Sequence, residues 1–189
     1  MRIFIAGLIG GVVLFVWGAI AHVALPIGQM GVKLAANQDV TITALQAATD
    51  KGAGVYMLPG MSPEQWRDEA SMTAFQDKYK ATPYAFVVYD PAGNPSMMTM
   101  AAPLVKQFVF CLLTALLAAW IMAASAVSFG TRVAMGAAMG LIAWLSVSVP
   151  YWSWYRFPLE FTIGAYLDSG LGLLFASIPM AWWLGRRRA

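Results

Sequence analysis

The chain has almost none of the residues from which reactive and metal centres are built: one cysteine, Cys111, and one histidine, His22, in 189 residues. A single thiol excludes an intrachain disulfide, and it leaves the redox compartment unreadable. A zinc site takes three or four ligands, and a b-type haem takes a second axial donor besides His22. Any of the 12 methionines has the chemistry for that second place, but methionine mainly fills gaps in packing, so no metal and no cofactor are expected. No GxSxG elbow, Walker loop, HExxH motif or paired metal-ligand cysteine occurs either, which leaves no catalytic residue to nominate.

Charge is scarce as well. Asp, Glu, Lys and Arg make up 11% of the chain and hydrophobic residues 60%, against about 25% charged residues in an average soluble domain. The apolar residues come in blocks, so the class is integral membrane. The net charge of +3 does not argue for nucleic acid, because the excess comes from arginines flanking apolar runs. The lipid bilayer is the first partner implied, and no nucleic-acid partner is expected.

A hydrocarbon core about 30 Å thick needs about 20 apolar residues of helix. Four segments come near that length: 3–25, 104–127, 133–149 and 161–184. The third is the shortest, and Pro150 is expected to stop it. Arg2 precedes the first run, Arg132 is read in the connection between the second and third, and Arg186, Arg187 and Arg188 lie in the tail 185–189. No acidic residue accompanies them. Basic residues at span ends are retained on the cytoplasmic side, so both termini are expected inside. Ala19-Ile20-Ala21 has the form of a signal-cleavage site, but the apolar run before it exceeds the usual 7 to 15 residues, which favours an uncleaved anchor.

The expected fold is therefore membrane α-helical. It has four transmembrane helices, N-in and C-in, with a small α+β extramembrane domain at 30–102 between helices 1 and 2. That domain then lies outside the cytoplasmic membrane, in the periplasm of a Gram-negative host. A helix is expected over 41–51, ended by Gly52, and a β run at 54–58 is followed by the breaker Pro59-Gly60. Ser62, Pro63 and Gln65 are spaced as a capping box opening a helix over 63–80. Its apolar residues fall on two sides, so it either breaks near Ser71 or is covered on both faces. YAFVVY at 84–89 is the strongest strand, and the turn 90–94 leads to 96–100 as an expected hairpin partner. About 70 residues is close to the lower limit for an independent core, so the domain is expected to rest on the membrane or the spans.

The loop 150–160 carries Tyr151, Trp152, Trp154 and Tyr155 as an outer interfacial belt, and Trp182 and Trp183 mark the inner one. Gly7 with Gly11 and Gly136 with Gly140 are small-residue pairs four apart, suited to close helix packing within the bundle or between copies.

His22 and Asp168 fall in the same leaflet by their places in the first and fourth spans. An ionisable group at that depth is disfavoured by a few kcal/mol unless it pairs, snorkels or meets water, which makes Asp168 a functional candidate. Ser146, Ser148, Lys106 and Arg156 are its other candidate partners in an outer-leaflet polar cluster, and one register-fixing hydrogen bond is the structural alternative. Arg156 and Glu160, four apart, either pair at the interface or are solvated separately. Glu64, Asp68, Glu69 and Asp77 are interleaved with Arg67, Lys78 and Lys80, which reads as a solvated helix face.

The functional expectation is a non-enzymatic accessory or scaffold subunit of a larger bacterial membrane complex, joined to other subunits or to copies of itself. The alternative is a transporter or a ligand- or lipid-binding protein using the polar cluster. A membrane-bound enzyme acting on lipid would require an aqueous cleft beside His22.

Overall fold

The computed structural model describes residues 1–49 and 52–186. The chain is mostly helical and divides into two compact units, Met1–Lys33 with Thr99–Ala189, and Leu34–Met98. The first unit holds four helices long and apolar enough to cross a membrane, Arg2–Ala24, Ala101–Ala123, Phe129–Tyr155 and Leu159–Gly185. The first is α1 (Arg2–Ala19) continued by a π turn, Ile20–Ala24. The second and third are α4 (Ala101–Ala123) and α5 (Phe129–Tyr155). The fourth is α6 (Leu159–Ala165), a second π turn Tyr166–Gly170, and α7 (Leu171–Gly185). Between α1 and α4 in the chain lie the second unit's helices, α2 (Gln38–Ala48) and α3 (Glu69–Tyr79).

Within the bundle α1 lies between α4 and α7, and α7 lies between α1 and α5. The core is built largely from alanine: Ala6, Ala115, Ala118, Ala119, Ala176 and Ala181, with Met122, Met180 and Leu184 filling between them. Small side chains let helix backbones approach, and in lipid that contact replaces the missing hydrophobic drive between helices. The glycine pairs are consumed by the same packing. A methyl group on Gly7 or Gly11 would stand 2.9 Å from the Cα of Leu116 or Leu112 respectively, and one on Gly140 would stand 2.5 Å from the Gly170 carbonyl oxygen. A methyl on Gly136 would run into the Ser177 side chain. All four glycines thus work inside one chain.

The ends of the second and third spans differ most from those read in the sequence, the second stopping at Ala123 and not at 127. The second span begins at Ala101, because Pro103 falls in the first turn, where a missing N–H costs nothing. The third begins at Phe129, capped by the Ser128 hydroxyl accepting from the Thr131 N–H at 3.2 Å, so Arg132 sits inside its first turn and not in a connection. Pro150 does not stop that helix, which runs on to Tyr155. Backbone groups freed in a bilayer find no water, so continuing the helix satisfies more of them than unwinding would. The expected aromatic loop 150–160 is thus helical over most of its length, with Trp152 and Trp154 exposed on the last turns of α5. The turn itself is made at Arg156, in the left-handed region at φ 57°, after which the Phe157 N–H returns to the Tyr151 carbonyl at 3.2 Å.

The second unit pairs β1 (Gly54–Leu58) antiparallel with β2 (Ala85–Tyr89), Tyr56 opposite Val87. Its first helix starts at Gln38, earlier than expected, because the Asn37 side chain caps it by accepting from the Val40 N–H at 3.1 Å. The end expected at Lys51 lies outside the described residues. The capping box forms, Ser62 N–H to Gln65 Oε1 at 2.8 Å and Gln65 N–H to Ser62 Oγ at 3.3 Å, but it opens only a short 3-10 turn, Gln65–Arg67. The helical stretch breaks at Asp68, whose carboxylate then caps α3 by accepting from the Ser71 N–H at 2.8 Å. Residues 96–100 do not form a strand. Asp90 and Asn94 each bond a backbone N–H two residues on, and Pro95 opens a 3-10 turn, which winds the chain too tightly for a hairpin partner.

Candidate functional site

Both π turns carry an ionisable side chain, His22 on the first and Asp168 on the second. A π turn adds one residue to a helical turn and frees carbonyls that an α-helix would use, and such turns recur at functional sites. Here two carbonyls of the second π turn take a donor from a neighbouring helix, that of Asp168 also accepting from the Leu171 N–H. Trp17 of α1 donates its indole N–H to the Asp168 carbonyl at 2.8 Å and to that of Leu167 at 3.2 Å. Its ring packs edge-on against Phe175 with centroids 4.7 Å apart. Trp17 therefore ties α1 to the second π turn and sets His22, five residues further along, beside the Asp168 carboxylate.

The His22 Nδ1 lies 3.0 Å from the Gly18 carbonyl and 3.9 Å from Oδ1 of Asp168. A carbonyl only accepts, so Nδ1 carries the proton and Nε2 remains for another partner. At 3.9 Å the carboxylate is beyond hydrogen-bond reach of the ring, and only the doubly protonated imidazole would pair with it by charge. The imidazole packs on Gly28, where a methyl group would collide with the ring, and Gly18 leaves an open approach to Asp168. The side chains are 55% and 31% exposed, so the pair is reachable from outside the bundle.

The other candidates are not drawn in. Ser146 bonds the carbonyls of its own helix, Ile142 at 2.7 Å and Ala143 at 3.2 Å. Ser148 is half-buried on the same helix, and no hydrogen bond joins it to His22 or Asp168 among the described residues. Lys106 and Arg156 are exposed; among the described residues the ion pairs are His22 with Asp168 and Asp77 with Lys80. The turn at Arg156 takes that residue off the helix of Glu160, so the i, i+4 geometry needed for their pairing does not arise. The site is a pair, not a cluster.

Two residues that the sequence did not single out complete the frame. One is Trp17; the other is Trp144, whose indole donates to the Thr162 carbonyl at 2.7 Å and whose ring meets Tyr166, centroids 5.3 Å apart. Nothing in the sequence separates either from an interfacial tryptophan. Among the described residues no group of three or more His, Cys, Asp or Glu is placed to hold a metal. Comparison with protein-family models, curated proteins and solved structures returns no match to this chain.

Proposed function

We propose that the chain is a non-enzymatic accessory or scaffold component of a larger assembly in a bacterial cytoplasmic membrane. Both ends lie in the cytoplasm and the 30–102 domain on the periplasmic side, an orientation that rests on the arginines at the span ends. The observation that carries the reading is the state of unit Leu34–Met98. Among the described residues every buried apolar side chain belongs to the other unit, while Val55 and Val88 of the two-stranded sheet are 60% and 77% exposed. A lone two-stranded sheet is marginal in water, and α2 and α3 pack little on it. Such a domain gains its stability from a surface that covers it, which is what a contact domain does.

Extraction in mild detergent followed by amide hydrogen exchange tests this. A larger particle is expected, with the β1 and β2 amides protected within it. A monomeric, partner-free particle with equal protection of those amides sinks the proposal.

The exposed His22–Asp168 pair favours a second reading, binding of a ligand or proton in the outer leaflet. In reconstituted vesicles Asp168→Asn is then expected to alter proton flux or solute binding. Identical behaviour of variant and wild type leaves the pair a structural contact.

A further inference from the structure

Among the described residues the end of the bundle remote from His22 gathers cations that no ion pair balances. Arg2 donates through Nη2 to the Leu184 carbonyl at 2.7 Å and also to the Arg186 carbonyl. Arg132 reaches the same stretch of backbone, since a methyl group on Gly185 would stand 3.7 Å from its Nη1. Its Nε donates to the Met122 carbonyl at the end of α4, at 3.2 Å. The Arg186 guanidinium lies 3.8 Å from the Trp182 ring centroid and 5.3 Å from that of Trp183.

These contacts explain where the arginines sit but not what balances them. The carbonyls at the ends of α4 and α7 attract a cation, yet a guanidinium carries five N–H donors and these bonds occupy few of them. Arg132 also stands in the first turn of α5, where the helix dipole opposes a positive charge. Arg2 and Arg132 are half-buried, so water screens them incompletely. Glu160 and Asp168 lie toward the other end of the fourth span, and every remaining acidic residue falls between Asp39 and Asp90. The Trp183 indole N–H is buried without a partner among the described residues, so donors exceed acceptors here by more than the arginines alone.

We infer that Arg2, Arg132 and Arg186 form a binding site for a phosphate group, and that its source is the headgroup of an anionic phospholipid. Three features select the lipid. The site lies at the end of membrane-spanning helices, Trp182 is exposed beside it, and the exposed apolar flank below offers a place for acyl chains. Basic pockets between helix ends recognise such headgroups by charge and by forked hydrogen bonds to phosphate oxygens.

The test uses the full chain, stripped of lipid in detergent and titrated with phosphatidylglycerol, with phosphatidylcholine of the same acyl chains, and with inorganic phosphate. Bound lipid is counted by native mass spectrometry and stabilisation by thermal melting. Phosphatidylglycerol is expected to be retained about tenfold more tightly than phosphatidylcholine. Each of Arg2→Gln and Arg132→Gln is expected to weaken it about fivefold. Because both arginines also cap helices, melting without lipid monitors the fold, and Arg132→Lys, which keeps the charge, is expected to retain most of the preference. Equal retention of the two lipids by the wild type overturns the inference, as does an unchanged preference in a folded Arg2→Gln, Arg132→Gln double variant. Inorganic phosphate matching phosphatidylglycerol at equal concentration overturns the lipid as source.

Discussion

The Trp17 indole crosses from one span to another to satisfy the Asp168 carbonyl at 2.8 Å, so the backbone of the acidic residue, and not only its side chain, is held by α1. Trp17→Phe keeps the ring against Phe175 but leaves two carbonyls of the π turn without this donor. The expected cost is about 1–2 kcal/mol, read as a lower melting temperature in detergent. An unchanged melting temperature would mean that the π turn is satisfied without Trp17.

A mutant cycle on His22→Gln and Asp168→Asn is expected to give a coupling energy at or below about 1 kcal/mol at low salt. The groups are 3.9 Å apart and partly exposed, and exposed pairs rarely exceed that value. A larger coupling would require a direct hydrogen bond that this geometry does not contain.

Gly140→Ala is expected to destabilise the bundle by about 1–3 kcal/mol, since the added methyl meets the Gly170 carbonyl and Cα, and backbone cannot swing aside. Gly130→Ala is the control, because the nearest atom to its methyl is Ser128 Oγ at 4.0 Å. Equal melting temperatures for the two variants would contradict the packing of α5 on the fourth span.

The Asp68 carboxyl is held below the usual carboxylate range by hydrogen bonds from the Ser71 side chain and then its backbone N–H. A carboxyl depressed in the folded state stabilises it above its unfolded pKa, and that contribution fades as pH falls through the lowered folded value. The protection of the Ser71 amide, relative to an unfolded chain at the same pH, is therefore expected to fall in acid below the ordinary carboxylate range. Asp68→Asn keeps a capping oxygen and is expected to remove this pH dependence, whereas Asp68→Ala removes the cap at every pH. Persistence of the acid effect in Asp68→Asn would place its origin elsewhere.

Some of the candidate site was legible along the chain. Depth in the first and fourth spans alone put His22 and Asp168 at the same level, because rise per residue is fixed in a helix. Which partners join them was not legible. Ser146 looked equally placed, but a serine inside a span can satisfy itself on its own helix, and it does so on the Ile142 carbonyl. The π turns left no trace in composition, and Trp17 was hidden because an indole serves a belt, a core or a hydrogen bond with the same residue type. In the smaller domain, local chemistry set β1 and the capping box, while the partner of β2 depended on a segment about 30 residues earlier in the chain.

What the sequence by itself determined is how many times the chain can cross a membrane, because that depends on length and on the cost of placing polar groups in hydrocarbon, both additive along a segment. Its capping residues likewise determined several helix starts, since a cap acts within one turn. Tertiary structure alone decided that Pro150 lies inside a helix, that all four packing glycines are spent within one chain, that Lys106, Arg156 and the serines stand apart from Asp168, and that Arg2, Arg132 and Arg186 converge. Each of these depends on which faces of separate helices meet. Facing is a relation between segments far apart in the chain, and no local pattern of residues encodes it.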